Sequence, residues 1–224
     1  MDYKESFLQY LKTEKRNSPH TVISYKNDLD QFFIFLEVSD KHITVEEVTS
    51  SQIRAWIVSM MENGITQSTV HRKISCLRVF FRYLRKEGIM KNDPLEKVVL
   101  PKRKKVLPHF VTEEAISGLL DNKADNNEFG SVRDLVIIEM LYMTGMRRAE
   151  LIGLKVSDVD LNECMVKVTG KRNKQRIIPI LKEFSVTLRN YLLLRNEAAK
   201  EKDEGWFFIT DKGNKLYDKY VYNI

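Results

Sequence analysis

The sequence predicts a mainly α fold with a small β-sheet, divided into two domains. Three observations predict it. Apolar residues recur at helical spacing through most of residues 1–90. Pro94, Pro101 and Pro108 then break the periodicity over 91–108. Further on, residues 165–168 and 176–180 alternate like strands about a polar, basic turn at 170–174. At 224 residues the chain is long enough for one large domain or two modest ones, each able to bury a core.

Phe7, Leu8 and Leu11 mark a short first helix. A second opens at Ser18, a plausible N-cap, followed by Pro19, which suits the first helical position. It carries Val22, Tyr25, Leu29, Phe32, Phe33 and Leu36. The third runs over about 50–63, with Ile53, Trp56, Ile57 and Met60 on one stripe and Gly64 as its stop. The fourth runs over about 66–87, with Val70, Ile74, Leu77, Phe81 and Leu84 as its apolar stripe. Arg78, Arg82 and Arg85 fall on another side of that helix, so one face packs and the other can meet phosphate. Four helices of this kind make a small bundle.

Residues 91–108 read as a basic linker around Lys102, Arg103, Lys104 and Lys105. The second domain, 109–224, begins with a helix from Thr112 to about Leu120, acidic in its first turn. A polar loop over 121–130 leads to an apolar helix capped by Ser131 and stopped by Gly145. A short helix over 147–154, the hairpin, and a helix over 181–200 follow. Residues 206–209 read as a third short strand, 211–214 as a turn, and 217–224 as the start of another helix.

Composition excludes several classes. Hydrophobic residues make up 43% and charged residues 30%, a globular balance rather than a disordered one. Two cysteines, Cys76 and Cys164, cannot build a disulfide framework. No apolar run approaches a membrane span, nothing at the N-terminus reads as a signal peptide, and a cytoplasmic protein is expected. No His, Cys or carboxylate group has metal-ligand spacing, and the isolated glycines make no nucleotide loop. The net charge of +6 is concentrated in three clusters: the fourth helix, residues 102–105, and residues 171–176. Such clusters are either the footprint of a nucleic-acid binder or three solvated surfaces.

In the second domain Arg147 stands at the mouth of a helix, and Lys171 at a hairpin tip 24 positions later. They are either ordinary surface cations or a pair converging on one phosphate. In the second case Arg supplies a planar fork to two oxygens and Lys a mobile charge able to give up a proton.

The segments TGMRRAELIGLKVSDVDL and VTGKRNKQRIIPI resemble the tyrosine recombinase, or phage integrase, family, and within it Xer-like and transposon-borne integrases. The resemblance places the family's first catalytic Arg on Arg147, its catalytic Lys on Lys171 and its supporting acid on Glu150. It extends upstream. Ser18, Thr21, Tyr25 and Leu29 match the second helix of the family's SAM-like core-binding domain, and residues 69–83 match its fourth. Leu107 and Pro108 followed by Val111, Thr112, Glu113 and Glu114 match the entry to its catalytic domain.

The resemblance implies a core-binding domain over 1–90 and the first part of an α+β catalytic domain over 109–224. Tyr25, Arg72, Lys73, Arg78, Arg82, Lys86, Arg172 and Lys174 are then candidate DNA contacts. Arg148 and Arg176 read as further cations, on the surface or on backbone phosphate. The implied partners are double-stranded DNA at a recombination or attachment site and copies of the same chain during synapsis. The implied chemistry is a transient 3′-phosphotyrosyl link made without metal, nucleotide or other cofactor, and there is no membrane partner.

One departure matters. The family's site also needs an H-x-x-R segment, a further His or Trp, and a Tyr nucleophile. The four histidines, His20, His42, His71 and His109, all precede Arg147, and no H-x-x-R follows Lys171. Tyr217, Tyr220 and Tyr222 lie where the family has the helix before H-x-x-R, so none is expected to be the nucleophile. The chain therefore reads as a recombinase cut off before its second catalytic half, binding DNA without cutting it. The alternative is a naturally truncated relative that only binds DNA and modulates recombination.

Overall fold

The computed structural model describes residues 3–39, 43–103, 112, 118, 128–199 and 203–224. The chain divides into two compact units, Met1–Pro108 and His109–Ile224. Most of the helix expected over 112–120, most of the loop after it, and Lys104, Lys105, Leu107, Pro108, Val111, Glu113 and Glu114 lie outside the described residues.

The first unit holds α1 (Tyr3–Thr13), α2 (Pro19–Ser39), α3 (Ser50–Glu62) and α4 (Gln67–Lys86). Polar caps set where they start. The Thr49 hydroxyl accepts from the Gln52 amide while Gln52 reaches back to Thr49 N–H, 2.8 Å. Thr66 accepts from the amide of Thr69, and Ser18 from that of Thr21, 3.3 Å. The apolar stripes converge: Phe7, Leu29, Phe32, Ile53, Val70, Ile74, Phe80 and Phe81 are all fully buried. Phe80 sits at the centre, its ring edge-on to Phe7 at 5.2 Å and to Phe33 at 5.9 Å.

Residues 91–100 do not behave as the linker their composition suggested. Leu95 and Val98 are buried in the helical core. Asp93 organises the turn that delivers them, accepting from Leu95 N–H at 2.9 Å and from Arg85 at 3.1 Å. His71 ties Pro101 back to α4 through the proline carbonyl, 2.7 Å. Two apolar residues carried on a turn leave no periodic trace, which is why the sequence hid them.

The second unit contains α5 (Phe129–Thr144), α6 (Arg148–Ile152), β1 (Val159–Asp160), β2 (Met165–Thr169), β3 (Gln175–Pro179), α7 (Lys182–Ala198) and α8 (Asp218–Asn223). The strands form an antiparallel sheet in the order β1-β2-β3. The register pairs Val166 with Ile178 and Val168 with Arg176. Val166 and Val168 are buried and their alternate neighbours exposed, so one sheet face meets the core with Val136, Met140, Leu151, Phe184 and Leu188.

Two expectations are corrected here. Ser131 lies inside α5 rather than capping it, because the helix starts two residues earlier, after Glu128. Residues 206–209 are not a sheet strand; they make only isolated bridges, Lys155 with Trp206 and Ile209 with Lys215. Phe207, Phe208 and Ile209 are all buried in succession, whereas a half-exposed strand would alternate. The third strand is instead β1, whose two residues are too few to show a pattern.

Buried arginines hold this irregular C-terminal stretch. Arg133 donates to the Ile209 carbonyl at 3.1 Å and to Asp211 at 2.7 Å, and bonds the Tyr220 hydroxyl. Its guanidinium lies over the rings of Phe129 and Tyr220. Arg195 does the same for Asp203 and for the Trp206 carbonyl, 2.7 Å. Among the described residues no helix is long and apolar enough to cross a membrane.

Truncating Phe80 should cost the helical unit heavily, because its ring is fully buried among Phe7, Phe33 and Phe81. Phe80→Ala is expected to destabilise it by about 3–5 kcal/mol, read as a lowered urea midpoint. A loss under about 1 kcal/mol would mean that the ring is not central to the core.

Candidate functional site

The turn between α5 and α6 is built to present Arg147. Gly145 ends α5 with φ of 58°, a left-handed conformation that a side chain would resist. Its amide still donates to the Leu141 carbonyl, 3.0 Å. The Thr144 hydroxyl accepts from Met146 N–H at 3.3 Å, and the Met146 side chain is buried as the anchor of the turn. Arg147 follows in extended conformation, its side chain 77% exposed.

Beneath it lies Glu150, whose side chain is only 3% exposed. Each of its oxygens takes two hydrogen bonds. Oε1 accepts from Arg147 Nη1 at 3.0 Å and from Arg176 Nη1 at 2.9 Å. Oε2 accepts from the Arg147 amide at 2.8 Å and from Arg176 Nη2 at 2.9 Å. The bonded Arg176 guanidinium is the main reason that the carboxyl titrates at about 2 rather than 4.5; burial acts the other way, and the bonds from Arg147 add to the lowering. A carboxylate so saturated is an anchor and not a proton carrier.

The hairpin brings Lys171 to the same anchor. The Gly170 amide donates to the Lys174 carbonyl at 2.7 Å, closing the turn, and Lys171–Asn173 form one 3-10 turn at its tip. The Gly170 backbone is extended and would suit any residue; space requires the glycine. A Cβ there would stand 2.9 Å from Glu150 Oε1. Lys171 is exposed and makes no ion pair among the described residues. Arg147 thus bonds the buried carboxylate directly, and Lys171 follows the Gly170 backbone that packs against the same group.

Arg176 was expected to be a surface or phosphate cation. It lies at the surface, its side chain 41% exposed, but it pairs with Val168 and its guanidinium is engaged by Glu150. The signal was available: in a strand of period two, Arg176 shares a face with Ile178. Lys174 is exposed in the hairpin, and Arg172 lies in the 3-10 turn, its side chain outside the described residues.

On α4, Arg72, Arg78, Arg82 and Lys86 are exposed. Lys73 is not. Its side chain is 7% exposed and donates to buried Asp28 at 3.1 Å and to Gln31, so it is corrected from a DNA contact to a core ion pair. Asp28 also takes both terminal nitrogens of Arg72, whose remaining surface is half open. Sequence reasoning passed over Asp28, although it lies beside the stripe of Tyr25, Leu29 and Phe32. Tyr25 is half-buried with its ring on Phe7, 6.3 Å. The hydroxyl of Tyr220 is bonded to Asp134 at 2.8 Å and to Arg133; burial, first, and the Asp134 bond push it up to about 12. No group of three His, Cys, Asp or Glu among the described residues could hold a metal ion.

The depressed carboxyl has a pH consequence. Glu150 stabilises the folded unit fully above pH 4.5 and loses that contribution as pH falls from 4.5 toward 2. Asp203, held near 2 chiefly by Arg195, acts in the same direction. Urea midpoints measured across this range should fall with pH in the parent chain and fall less steeply in Glu150→Gln. Parallel curves would contradict the bonding described.

The model of the phage integrase N-terminal SAM-like domain matches residues 5–88, and that of the phage integrase family matches 109–224. Tyrosine recombinase XerC of Thermodesulfovibrio yellowstonii is 37% identical over 226 residues, which cover 99% of this chain and 73% of that protein. XerC of Staphylococcus carnosus is 39% identical over 219 residues, 97% and 72% of the two chains. A lambda integrase dimer bound to a COC′ core site superposes with a TM-score of 0.73 at 17% identity, over 98% of this chain and 73% of that one. The Tn1549 transposon integrase in complex with a circular intermediate DNA gives 0.73 at 14% identity, over 96% and 74%. The structural likeness concerns the fold; the sequence matches, which take in both units and both cation-bearing motifs, carry the assignment. The chain belongs to the phage integrase, or tyrosine recombinase, family.

Proposed function

We propose that this chain binds duplex DNA at a recombination or attachment site, holds a phosphate with Arg147 and Lys171, and does not by itself break the strand. The observation that carries the proposal is the exposed Arg147 bonded to the buried Glu150 carboxylate, with the exposed Lys171 next to the Gly170 backbone that packs on that same carboxylate. In this reading the helical unit is the core-binding domain and 109–224 the first part of the catalytic domain. Lambda integrase, seen as a dimer bound to a COC′ core site and as a tetramer bound to a Holliday junction, supports DNA and further copies of the chain as partners.

The chemistry follows from the groups. Arg147 has spent one terminal nitrogen on Glu150 and keeps the rest of its fork for non-bridging phosphate oxygens. Charge held in advance over a phosphorane-like transition state is worth about 10²–10³ in rate per donor. Lys171, mobile at its hairpin tip, is suited to protonate the leaving 5′-oxygen. A tyrosine attacking the phosphorus would conserve the bond energy as a phosphotyrosyl ester with no metal or nucleotide. Within these 224 residues no H-x-x-R follows Lys171, and the Tyr220 hydroxyl is already engaged. These 224 residues are therefore expected to bind duplex DNA without cutting it.

Affinity for duplex DNA should drop steeply with salt. Arg82→Ala or Arg78→Ala should reduce the salt slope by about one. Lys73→Ala should leave the slope unchanged while costing about 1–3 kcal/mol of stability, because Asp28 loses a charged donor. A suicide duplex should remain uncut. A flat salt response, or clean covalent cleavage, would overturn the proposal.

A further inference from the structure

We infer that Arg176 is a positioning residue that couples Arg147 to Lys171 through Glu150, so that the two cations meet a phosphate as one unit. The inference rests on the proposed function, since it concerns how the phosphate-holding pair is set. Its basis is the division of labour between two arginines on one carboxylate. Arg176 commits both terminal nitrogens, one to each oxygen, at 2.9 Å. Arg147 commits one terminal nitrogen and its backbone amide. Arg176 is therefore spent in a planar fork-to-fork pair, whereas Arg147 is only steadied.

Arg176 also stands on β3, in the hairpin that carries Lys171, while Glu150 stands on α6, the helix that Arg147 opens. The pair is thus a tie between the two elements. Gly170 lets the tie close, because its missing side chain admits the Glu150 oxygen and leaves Arg176 Nη1 3.9 Å from the Cβ position. Without Arg176, a buried carboxylate would keep only half its donors. Arg147 is the nearest replacement, so its fork would turn inward to satisfy Glu150 and leave the phosphate. The hairpin would lose its anchor at the same time. One substitution would then weaken both cations. Lysine could not replace Arg176, because a single ammonium does not span both oxygens in one plane.

The test uses two readouts on the full chain, with Arg176→Met and Arg176→Lys both confirmed folded by circular dichroism. The first is a carbon-13 titration of the Glu150 carboxyl, which should move up toward the ordinary glutamate range in both variants. An unchanged titration overturns the tie. The second is affinity for a mixed-sequence duplex in a double-mutant cycle with Lys171→Ala. Coupled residues give a double variant within roughly twofold of Arg176→Met alone. Independent losses that multiply, or full rescue by Arg176→Lys, would make Arg176 a phosphate contact in its own right and overturn the inference. A parent chain that fails to bind the duplex would sink the proposed function instead, and the titration would then decide the tie.

Discussion

The second unit depends on a buried negative charge that cannot be left alone. Glu150 is enclosed, ionised and saturated by four donors from two arginines. An unpaired carboxylate in that position would cost several kcal/mol, so the elements supplying its donors are held where they are. Those elements are the turn after α5, which carries Arg147, and the strand β3, whose hairpin carries Lys171 at its tip. In the proposed reading, Arg147 and Lys171 rely less on their own exposure than on the closed bonding of Glu150 beside them.

The helical unit solves a related problem in the same way. Asp28 is buried on α2 and is satisfied by Lys73 and Arg72 from α4. Lys73 is consumed by the pairing, while Arg72 keeps half its surface open. In both units an internal carboxylate selects which cations of a basic segment face outward. Counting basic residues along α4 or along the hairpin overestimates the charge available to a partner, because Lys73 is buried and Arg176, though partly exposed, has its guanidinium paired with Glu150.

Most of the fold was legible in the sequence where periodicity is long. The stripes of α3 and α4, the stop at Gly145 and the β2–β3 hairpin all follow from spacing and turn chemistry. What escaped was carried by short or continuous apolar segments. Leu95 and Val98 ride on an Asp93 turn among prolines, β1 has two residues, and Phe207 to Ile209 are buried without alternation. Motif resemblance singled out Arg147, Glu150 and Lys171, but the roles of Arg176, Gly170 and Asp28 need three dimensions. A basic residue inside a basic run looks like its neighbours until its carboxylate partner, 26 positions away for Arg176 and 45 for Lys73, is brought beside it.

In the proposed function Arg147 and Lys171 address the same phosphate. A crystal structure of the chain on duplex DNA tests it most directly. One phosphate should lie within hydrogen-bonding reach of both side chains, with the Glu150–Arg176 pair intact beside it. Phosphates contacted by one cation and not the other, or a backbone that passes the site without touching either, would contradict it.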